Sequence, residues 1–363
     1  QAFSYVFVLI FVGISVLVIA TSMSRMVERE RTQIGTMNAL GMKRWKVVLH
    51  YISFSLIVST AGALLGLLLG MFLFSNTWDF MIYYVVICGT LLLGNLKRYS
   101  SDPFISQALK WSVIQWGELL SAAFLASLPF HLSFENVMVQ GIGIVKIHTA
   151  FYQFCVLWAF PLLVCVLFVI GILKKIRTFP DKKIRSFFSN VKYPDLYGLV
   201  LVLCAMGLIF IPEIVYVRDI YEKTAPRANT MFKLTYQAYI MFALTMGYGI
   251  YRLLAVSRQK VFKIISGICL FFLIWTVGYF GKSVDSWFGK VLNPSGYQGL
   301  YALGYLDTDF SEDVSAIQWL NENIKGAPVV LEANGDTYSG YERVSAATGL
   351  PTILGWYVHE WLW

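Results

Sequence analysis

The stretch FYQFCVLWAFPLLVCVLFVIGILKKIRTFPDKKIR, residues 151–185, decides the fold class of this chain. Residues 151–173 carry no charge, and they exceed the length of about 20 residues with which a helix crosses the hydrocarbon core of a bilayer. A run of lysines and arginines follows directly. An uncharged apolar stretch that ends in a basic cluster predicts a transmembrane helix whose C-terminal end lies in the cytoplasm.

Seven further stretches have the same apolar character. They are residues 5–23, 47–74, 80–94, 111–130, 196–216, 231–253 and 261–280. In the whole chain 57% of residues are hydrophobic and only 14% are charged, whereas about a quarter are charged in soluble proteins. The sequence therefore predicts an all-α polytopic membrane protein of about eight transmembrane helices, with the lipid bilayer as its partner.

The basic residues indicate the orientation of these helices. Most of the 29 lysines and arginines lie in the gaps that follow the first, third, fifth and seventh stretches. By the positive-inside rule these gaps face the cytoplasm, so both termini are predicted to be extracytoplasmic in a multi-pass protein of the plasma membrane. The net charge of +8 then reflects topology, and no nucleic-acid partner is expected.

The five cysteines all lie in apolar stretches, which is typical of small buried side chains and not of a disulfide framework or a metal site. The chain opens on Gln1 without an initiator methionine, so we expect a piece of a longer protein.

Residues 282–363 are more polar and predict a small extracytoplasmic α/β domain. Ser311 is a candidate N-cap for a helix ending at Gly326, and residues 328–331 are β-branched and apolar enough for a strand. One face of the predicted helix is apolar: Val314, Ile317, Leu320 and Ile324.

The segment SMSRMVERERTQIGTMNALGMKRWKVV, residues 22–48, precedes a helix with glycines at 62, 66 and 70. Residues 1–74 thereby resemble the FtsX-like permease domain of MacB-type ABC transporters. The resemblance implies that residues 24–46 form a cytoplasmic coupling segment, with an ABC ATPase as its partner. An ordinary basic amphipathic loop is the alternative.

The remainder of the chain, residues 76–363, is similar to another family. The matching stretches are NTWDF (76–80), LPFHLSF (128–134) with GIG (141–143), PEIVYVRDIYE (212–222), RANTMFKLTYQAY (227–239) and residues 331–363. They resemble the YYY-motif integral membrane proteins of archaea and Chloroflexi, a family of unknown function with glycosyltransferase-C character. Full members begin with further helices and an early acidic loop, and FtsX-like sequence stands there in this chain. The resemblances predict a fusion or fragment with three parts, residues 1–74, 75–281 and 282–363, which is expected to be inactive alone.

Charged and amide side chains are concentrated where the sixth and seventh apolar stretches meet. Three carboxylates are candidates for a catalytic base or for ligands of a divalent metal ion: Asp79, Glu213 and Asp219. Four further residues are candidates for binding the phosphate of a lipid-linked sugar: Arg218, Arg227, Asn229 and Lys233. A ring of structural ion pairs that locks the loop is the alternative. Glu118, in the middle of the fourth stretch, is expected to face the bundle interior.

Acidic and aromatic residues alternate near the C-terminal end, a composition suited to sugars, which stack on rings and donate hydroxyl hydrogen bonds. The candidates are Glu332, Asp336, Tyr338, Glu342, Arg343, Trp356, His359 and Glu360. Turns at Gly335 and Gly349 would let these side chains converge.

The resemblance to the YYY-motif proteins implies a glycosyltransferase-C-like protein that acts on a polyprenyl-phosphate-linked sugar at the outer membrane face. The alternatives are an ABC transporter permease with a mechanotransmission role, and a membrane protein without catalytic activity.

Overall fold

The computed structural model describes residues 28, 30–100, 104–132, 134, 141–176, 184–219, 223–289 and 302–360. The first predicted span, residues 5–23, and part of the predicted coupling segment lie outside these residues. The chain divides into two compact units, Gln1–Phe272 and Leu273–Trp363, and each is described by itself.

Long helices dominate the first unit. In chain order they are α1 (Arg31–Ala39), α2 (Arg44–Ser75), α3 (Thr77–Arg98), α4 (Phe104–His131), α5 (Phe151–Ile176), α6 (Ile184–Asn190), α7 (Tyr193–Ile214), α8 (Ala228–Val256) and α9 (Lys260–Phe288). Helix α9 belongs to the second unit from Leu273 onward. Among the described residues, six helices are long and apolar enough to cross a membrane: α3, α4, α5, α7, α8 and α9. They coincide with the third to eighth predicted stretches, so the prediction of a helical membrane protein is confirmed. The second predicted stretch lies in α2, in which the segment Thr60–Ser75 is a shorter apolar helix among the described residues.

The shortest predicted stretch, residues 80–94, becomes a helix of 22 residues in the structure. Polar residues extend it at both ends, because Asp79 lies in the first turn of α3 and Lys97 and Arg98 lie in the last. An acid at the N-terminal end and bases at the C-terminal end both interact favourably with the helix dipole. The length of an apolar stretch is therefore a lower limit for the length of the helix that contains it.

The core of the first unit surrounds α7. Phe168 of α5, Ala205 of α7 and Phe242 of α8 are fully buried, and Leu201 and Met241 nearly so. The ring of Phe168 also lies directly against the backbone of α7 at a glycine. This dense packing fixes the ends of α7 and α8, which carry most of the predicted site residues.

Helices α2 and α4 approach each other through small residues. A Cβ atom built on Gly66 would lie 2.6 Å from the Cβ of Ala122. One on Gly70 would lie 2.6 Å from the Cβ of Ala126 and 2.8 Å from the carbonyl oxygen of Ala123. Small residues allow membrane helices to pack at close range, so Gly66 and Gly70 serve contact with α4.

The prediction that Glu118 faces the bundle interior is wrong, because this residue of α4 is exposed. The buried residues of α4 are the small side chains Ala108, Ser112, Ala123 and Ser127. Close helix packing selects these small residues for the inner face, and Glu118 lies on a different face of the helix.

Two short strands, β1 (Ile142–Ile144) and β2 (Val215–Val217), form an antiparallel pair that the sequence did not lead us to predict. Backbone hydrogen bonds continue the pair at both ends, from Val145 N to Ile214 O at 3.0 Å and from Arg218 N to Gly141 O at 2.8 Å. The pair holds the loop before α5 against the end of α7.

The second unit contains short helices: α10 (Tyr305–Asp309), α11 (Ser311–Asn323), α12 (Arg343–Thr348) and α13 (Tyr357–Glu360). Helix α11 confirms the predicted apolar face, with Ile317 buried. Phe310, however, occupies the N-cap position, so Ser311 is already the first helical residue and makes no cap hydrogen bond.

The predicted strand at residues 328–331 is wrong. Only an isolated parallel bridge between Val330 and Thr352 forms there among the described residues, with Val330 N donating to the carbonyl oxygen of Pro351 at 2.8 Å. Pro351 has no amide hydrogen to donate in return, so a regular ladder cannot extend across it.

Candidate functional site

Three polar residues of α8 lie on one helix face. Asn229, Lys233 and Gln237 are each four residues apart, which places successive side chains on the same side at intervals of about 6 Å. The first and the last of the three bind carboxylates. Asn229 Nδ2 donates to Asp219 Oδ2 at 2.8 Å, and Gln237 Nε2 donates to Asp79 Oδ1 at 2.8 Å. We call these five residues the Lys233 face.

Lys233 differs from its neighbours on this face. It is half-buried, and it has neither a hydrogen bond nor an ion pair with any residue that the structure describes. The Lys233 face therefore presents a cation without a partner in the described part of the chain, and an amide that binds a carboxylate lies about one helical turn away in each direction.

Asp79 is held by a network that joins α3 to α8. Its Oδ2 atom accepts a hydrogen bond from Asn76 Nδ2 at 2.9 Å. Tyr83 donates its hydroxyl hydrogen to Gln237 Oε1 at 2.6 Å, and Gln237 is only 8% exposed. The position of Asp79 on the Lys233 face is thus fixed by packing and by hydrogen bonds at both carboxylate oxygens.

Glu213 and Arg227 form a second and separate cluster, an ion pair with an N–O distance of 2.8 Å. Both carboxylate oxygens of Glu213 also accept hydrogen bonds from Thr149, from its amide at 2.9 Å and from its hydroxyl at 2.5 Å. Arg227 further donates to Thr149 Oγ1 at 3.0 Å and to the carbonyl oxygen of Pro212 at 3.2 Å. We call Thr149, Glu213 and Arg227 the Glu213 clamp, because it ties the loop before α5 to the ends of α7 and α8.

The Glu213 clamp borders a shallow cleft of about 670 Å³ between the beginnings of α5 and α8. The cleft has a polar end, where His148 and Arg227 lie, and an apolar side that includes Val156, Leu157 and Met231. His148 Nδ1 lies 3.8 Å from Glu213 Oε2. The charges at this cleft are therefore largely balanced by one another.

Six polar residues were predicted where the sixth and seventh apolar stretches meet, and five of them fall into two groups. Asp219, Asn229 and Lys233 share one face with Asp79, whereas Glu213 and Arg227 form the clamp. Arg218 is exposed, and its backbone extends the β1–β2 pair.

Sequence reasoning missed Thr149, Tyr83 and Gln237. Gln237 carried a usable signal, because it continues the four-residue spacing of Asn229 and Lys233 inside an otherwise apolar helix. A polar residue within a membrane helix marks a face turned toward other protein groups. Thr149 and Tyr83 gave no such signal, since their roles depend on partners more than 60 residues away along the chain.

A third polar group lies at the opposite end of α7 and was not predicted either. Asp195 is 1% exposed. It accepts from Arg252 Nε at 2.9 Å, from Arg252 Nη2 at 3.2 Å and from the Tyr248 hydroxyl at 2.7 Å. All of these partners lie on α8, so the group locks α7 to α8.

In the second unit, the predicted sugar-binding acids bind backbone amides. Glu332 accepts from the amides of Val344 at 3.0 Å and Ser345 at 2.7 Å, at the start of α12. Glu360 accepts from the amide of Gly355 at 2.6 Å. These contacts fold the segment around residues 332–360 onto itself.

Arg343 also binds within the protein: it donates hydrogen bonds to Asp313 Oδ2 at 2.6 Å and to the carbonyl oxygen of Gly340 at 2.6 Å. Asp336 is exposed. His359 belongs to α13, and the position of its side chain lies outside what the structure describes.

The aromatic candidates do come together. The rings of Tyr338 and Trp356 lie 5.6 Å apart, and Tyr338 is 85% exposed. Trp356 Nε1 donates to the carbonyl oxygen of Tyr341 at 3.0 Å. Gly335 is needed here, because a Cβ atom at that position would overlap the ring of Tyr341.

Among the described residues, no group of three or more histidine, cysteine, aspartate or glutamate side chains is arranged to hold a metal ion. The three carboxylates that were predicted to be catalytic do not form such a group. Asp79 and Asp219 bind different amides of α8, and Glu213 lies in the clamp.

The sequence was also compared with known proteins. A family model described as "Uncharacterized membrane protein (DUF2298)" matches residues 2–193 and 183–242. Searches of curated proteins and of solved structures gave no match. The matched part runs through residue 75 and includes the coupling segment, and the comparisons give no support to the FtsX-like resemblance.

Proposed function

This chain belongs to the DUF2298 family of uncharacterized membrane proteins, and from that premise we propose that it binds a polyprenyl-phosphate-linked sugar and takes part in transfer of the sugar. The family is related to the YYY-motif membrane proteins of glycosyltransferase-C character. The proposed binding site is the Lys233 face, at the end of the bundle where α3 and α8 begin.

The partnerless cation at Lys233 is the observation that carries this proposal. A charged side chain in a membrane helix costs roughly 2.5 to 3.5 kcal/mol at the helix centre, so such charges are retained where they pair or where they bind a ligand. Lys233 has no partner among the described residues. An anionic ligand would supply the missing charge, and an ammonium group binds phosphate well as a point charge.

The carboxylates on the same face are suited to act on the hydroxyl group that receives the sugar. Transfer of a sugar to a hydroxyl group requires a base that accepts the hydroxyl proton. Asp79 and Asp219 each accept a hydrogen bond from an amide of α8, which orients the carboxylate. We infer that one of them is the base and that the other helps to orient the acceptor.

In this proposal Arg227 supports the site and does not bind phosphate directly. Its guanidinium group already contacts Glu213, Thr149 and Pro212. The Glu213 clamp then holds the first turn of α8, and with it Lys233, in place.

Ligand binding to the full chain in nanodiscs tests the proposal. We expect the Lys233→Ala variant to bind a polyprenyl-phosphate-linked sugar about tenfold to a hundredfold more weakly, which corresponds to one charge-assisted hydrogen bond of roughly 1.5 to 3 kcal/mol. Lys146→Ala is the matched control, because Lys146 is an exposed lysine in the loop before α5. Its affinity should equal that of the unaltered protein.

The free polyprenol provides the second control, since it has the same chain without phosphate. Its binding should not depend on Lys233. Equal affinity of the unaltered protein and the Lys233→Ala variant for the phosphate-linked sugar would overturn the assignment of the site.

The alternative of an ABC permease still depends only on the resemblance of residues 24–46 to a coupling segment. No contact or charge in the described residues favours it over the proposed function.

A further inference from the structure

Glu342, in the second unit, has an unusual backbone for its residue type. Its φ and ψ angles are 61° and 20°, in the left-handed region. Residues other than glycine seldom adopt this conformation and keep it only where the surrounding structure enforces it. Glu342 is the N-cap residue of α12, so its conformation sets the direction in which the chain enters that helix.

The side chain of Glu342 is buried, and the hydroxyl of Thr352 is a polar group near it. The residue is 8% exposed, and both of its carboxylate oxygens are buried and make no hydrogen bond of normal geometry with any described residue. Buried polar atoms nearly always have a hydrogen-bond partner. An ionised carboxylate in such a place is strongly disfavoured, because it loses its hydration without compensation.

Among the described residues, two further acids act on Glu342: Glu332 and Glu360. The hydroxyl of Thr352 is the remaining polar group that affects it. The adjacent cation, Arg343, directs its guanidinium group to Asp313 and Gly340. Glu342 therefore lies in an environment that is unfavourable to a negative charge.

We propose that Glu342 is a proton-binding latch, whose neutral carboxyl group is required for the folded conformation of residues 332–360. When the proton leaves, the carboxylate must reach water, and the segment opens. This inference concerns the second unit alone and does not depend on the proposed function of the Lys233 face.

The direction of the pKa shift agrees with this inference. Burial raises the pKa of the Glu342 carboxyl above its usual value, the nearby charge of Glu332 raises it further, Thr352 lowers it, and Glu360 raises it. A carboxyl group whose pKa is higher in the folded than in the unfolded state stabilises the fold below the unfolded value of about 4.3. That stabilisation is lost as the pH rises through the folded pKa.

Hydrogen exchange of the full chain in nanodiscs, followed by mass spectrometry of peptides within residues 332–360, tests the latch. Rates are corrected for the intrinsic pH dependence of exchange and compared between about pH 4 and about pH 8, on either side of the usual glutamate range. We expect protection of the unaltered segment to fall as the pH rises, and protection of the Glu342→Gln variant to stay high. The glutamine keeps the size of the side chain but cannot ionise.

Glu322→Gln is the matched control, because Glu322 is an exposed glutamate of the same unit. It should retain the pH dependence of the unaltered protein. In the Glu360→Gln variant the folded pKa of Glu342 should be lower, so the fall in protection should be smaller and should end at a lower pH.

Three results would overturn the proposal. Protection in the Glu342→Gln variant that falls with pH as in the unaltered protein would assign the effect to another group. A loss of protection in this variant at every pH would show that a neutral side chain of this size does not support the fold. A loss in the unaltered protein on addition of a chelator would show that the carboxylate binds a cation.

Discussion

At the scale of single residues, the polar groups of the first unit differ in how completely they are bound. Asp195 and Glu213 have donors at both carboxylate oxygens, whereas Lys233 has no acceptor among the described residues. A fully bound ion pair holds helices together and leaves no capacity for a ligand. This contrast is our reason for placing ligand binding at Lys233 and structural roles at the other two.

The first residue-scale prediction concerns Asp195. The Asp195→Asn variant should be destabilised by about 3 to 5 kcal/mol, because Arg252 would keep a buried charge without its counter-ion. Unfolding of the purified protein in mixed micelles measures the difference. The exposed Asp336→Asn variant is the control and should unfold like the unaltered protein. A stability within about 0.5 kcal/mol of the unaltered protein, the range usual for surface changes, would show that the pair does not lock α7 to α8.

The second residue-scale prediction separates the Glu213 clamp from the Lys233 face. Lysine at position 227 keeps the charge but not the planar fork that reaches three acceptors. We therefore expect Arg227→Lys to lower the stability of the protein by about 1 to 3 kcal/mol. Its effect on the affinity for a polyprenyl-phosphate-linked sugar should be smaller than that of Lys233→Ala. The opposite ranking in the binding assay would move the phosphate site to Arg227.

Part of the candidate site could be predicted at this scale. Asp219, Asn229 and Lys233 lie within 15 residues of each other, so their local density of polar groups was visible. The bond between Asp79 and Gln237 joins residues 158 positions apart, and no local pattern contains it. The prediction that Glu118 faces the bundle interior was wrong because a charge alone does not show which face of the helix packs through small residues.

At the scale of elements, close contact between α2 and α4 depends on glycine. Gly70 faces both a side chain and a backbone oxygen of α4, and the backbone oxygen cannot move independently of its helix. A Cβ atom added at Gly62, about two turns earlier in α2, would meet no atom of the described residues within 4 Å.

These two glycines give a matched pair of variants. Gly70→Ala should destabilise the protein by about 1 to 3 kcal/mol through overpacking. Gly62→Ala should be neutral or slightly stabilising, since alanine favours a helix over glycine by about 1 kcal/mol. Thermal unfolding in detergent compares them. Equal midpoints for the two variants would mean that α2 and α4 do not pack closely at Gly70.

The elements themselves were predictable to different degrees. Long apolar stretches identified the helices because a membrane requires length and hydrophobicity, and both are local properties. The β1–β2 strands have three residues each and pair across more than 70 positions. Their sequences are therefore too short to show the alternation of apolar and polar residues that predicts a strand. The expected strand at residues 328–331 failed because its partner segment contains Pro351, which is remote in sequence.

At the scale of the whole molecule, the alternation of basic gaps remains the basis for orientation. Residues 174–195 follow one apolar stretch and contain a dense group of lysines and arginines. Three further predicted stretches, residues 196–216, 231–253 and 261–280, separate this group from residues 282–363. If each of them crosses the membrane once, the basic group and residues 282–363 are expected on opposite sides, and the positive-inside rule places the basic group in the cytoplasm.

That orientation can be tested with single cysteines and a membrane-impermeant maleimide. The five native cysteines lie in helices α3, α5, α7 and α9, so they should label slowly. We expect Asp181→Cys to be labelled only after the cells are opened, because its basic surroundings favour the cytoplasm. Lys325→Cys, in an exposed part of the second unit, should be labelled in intact cells. Labelling of both from the same side would mean that the three stretches between them do not each cross once, and the predicted orientation would be wrong.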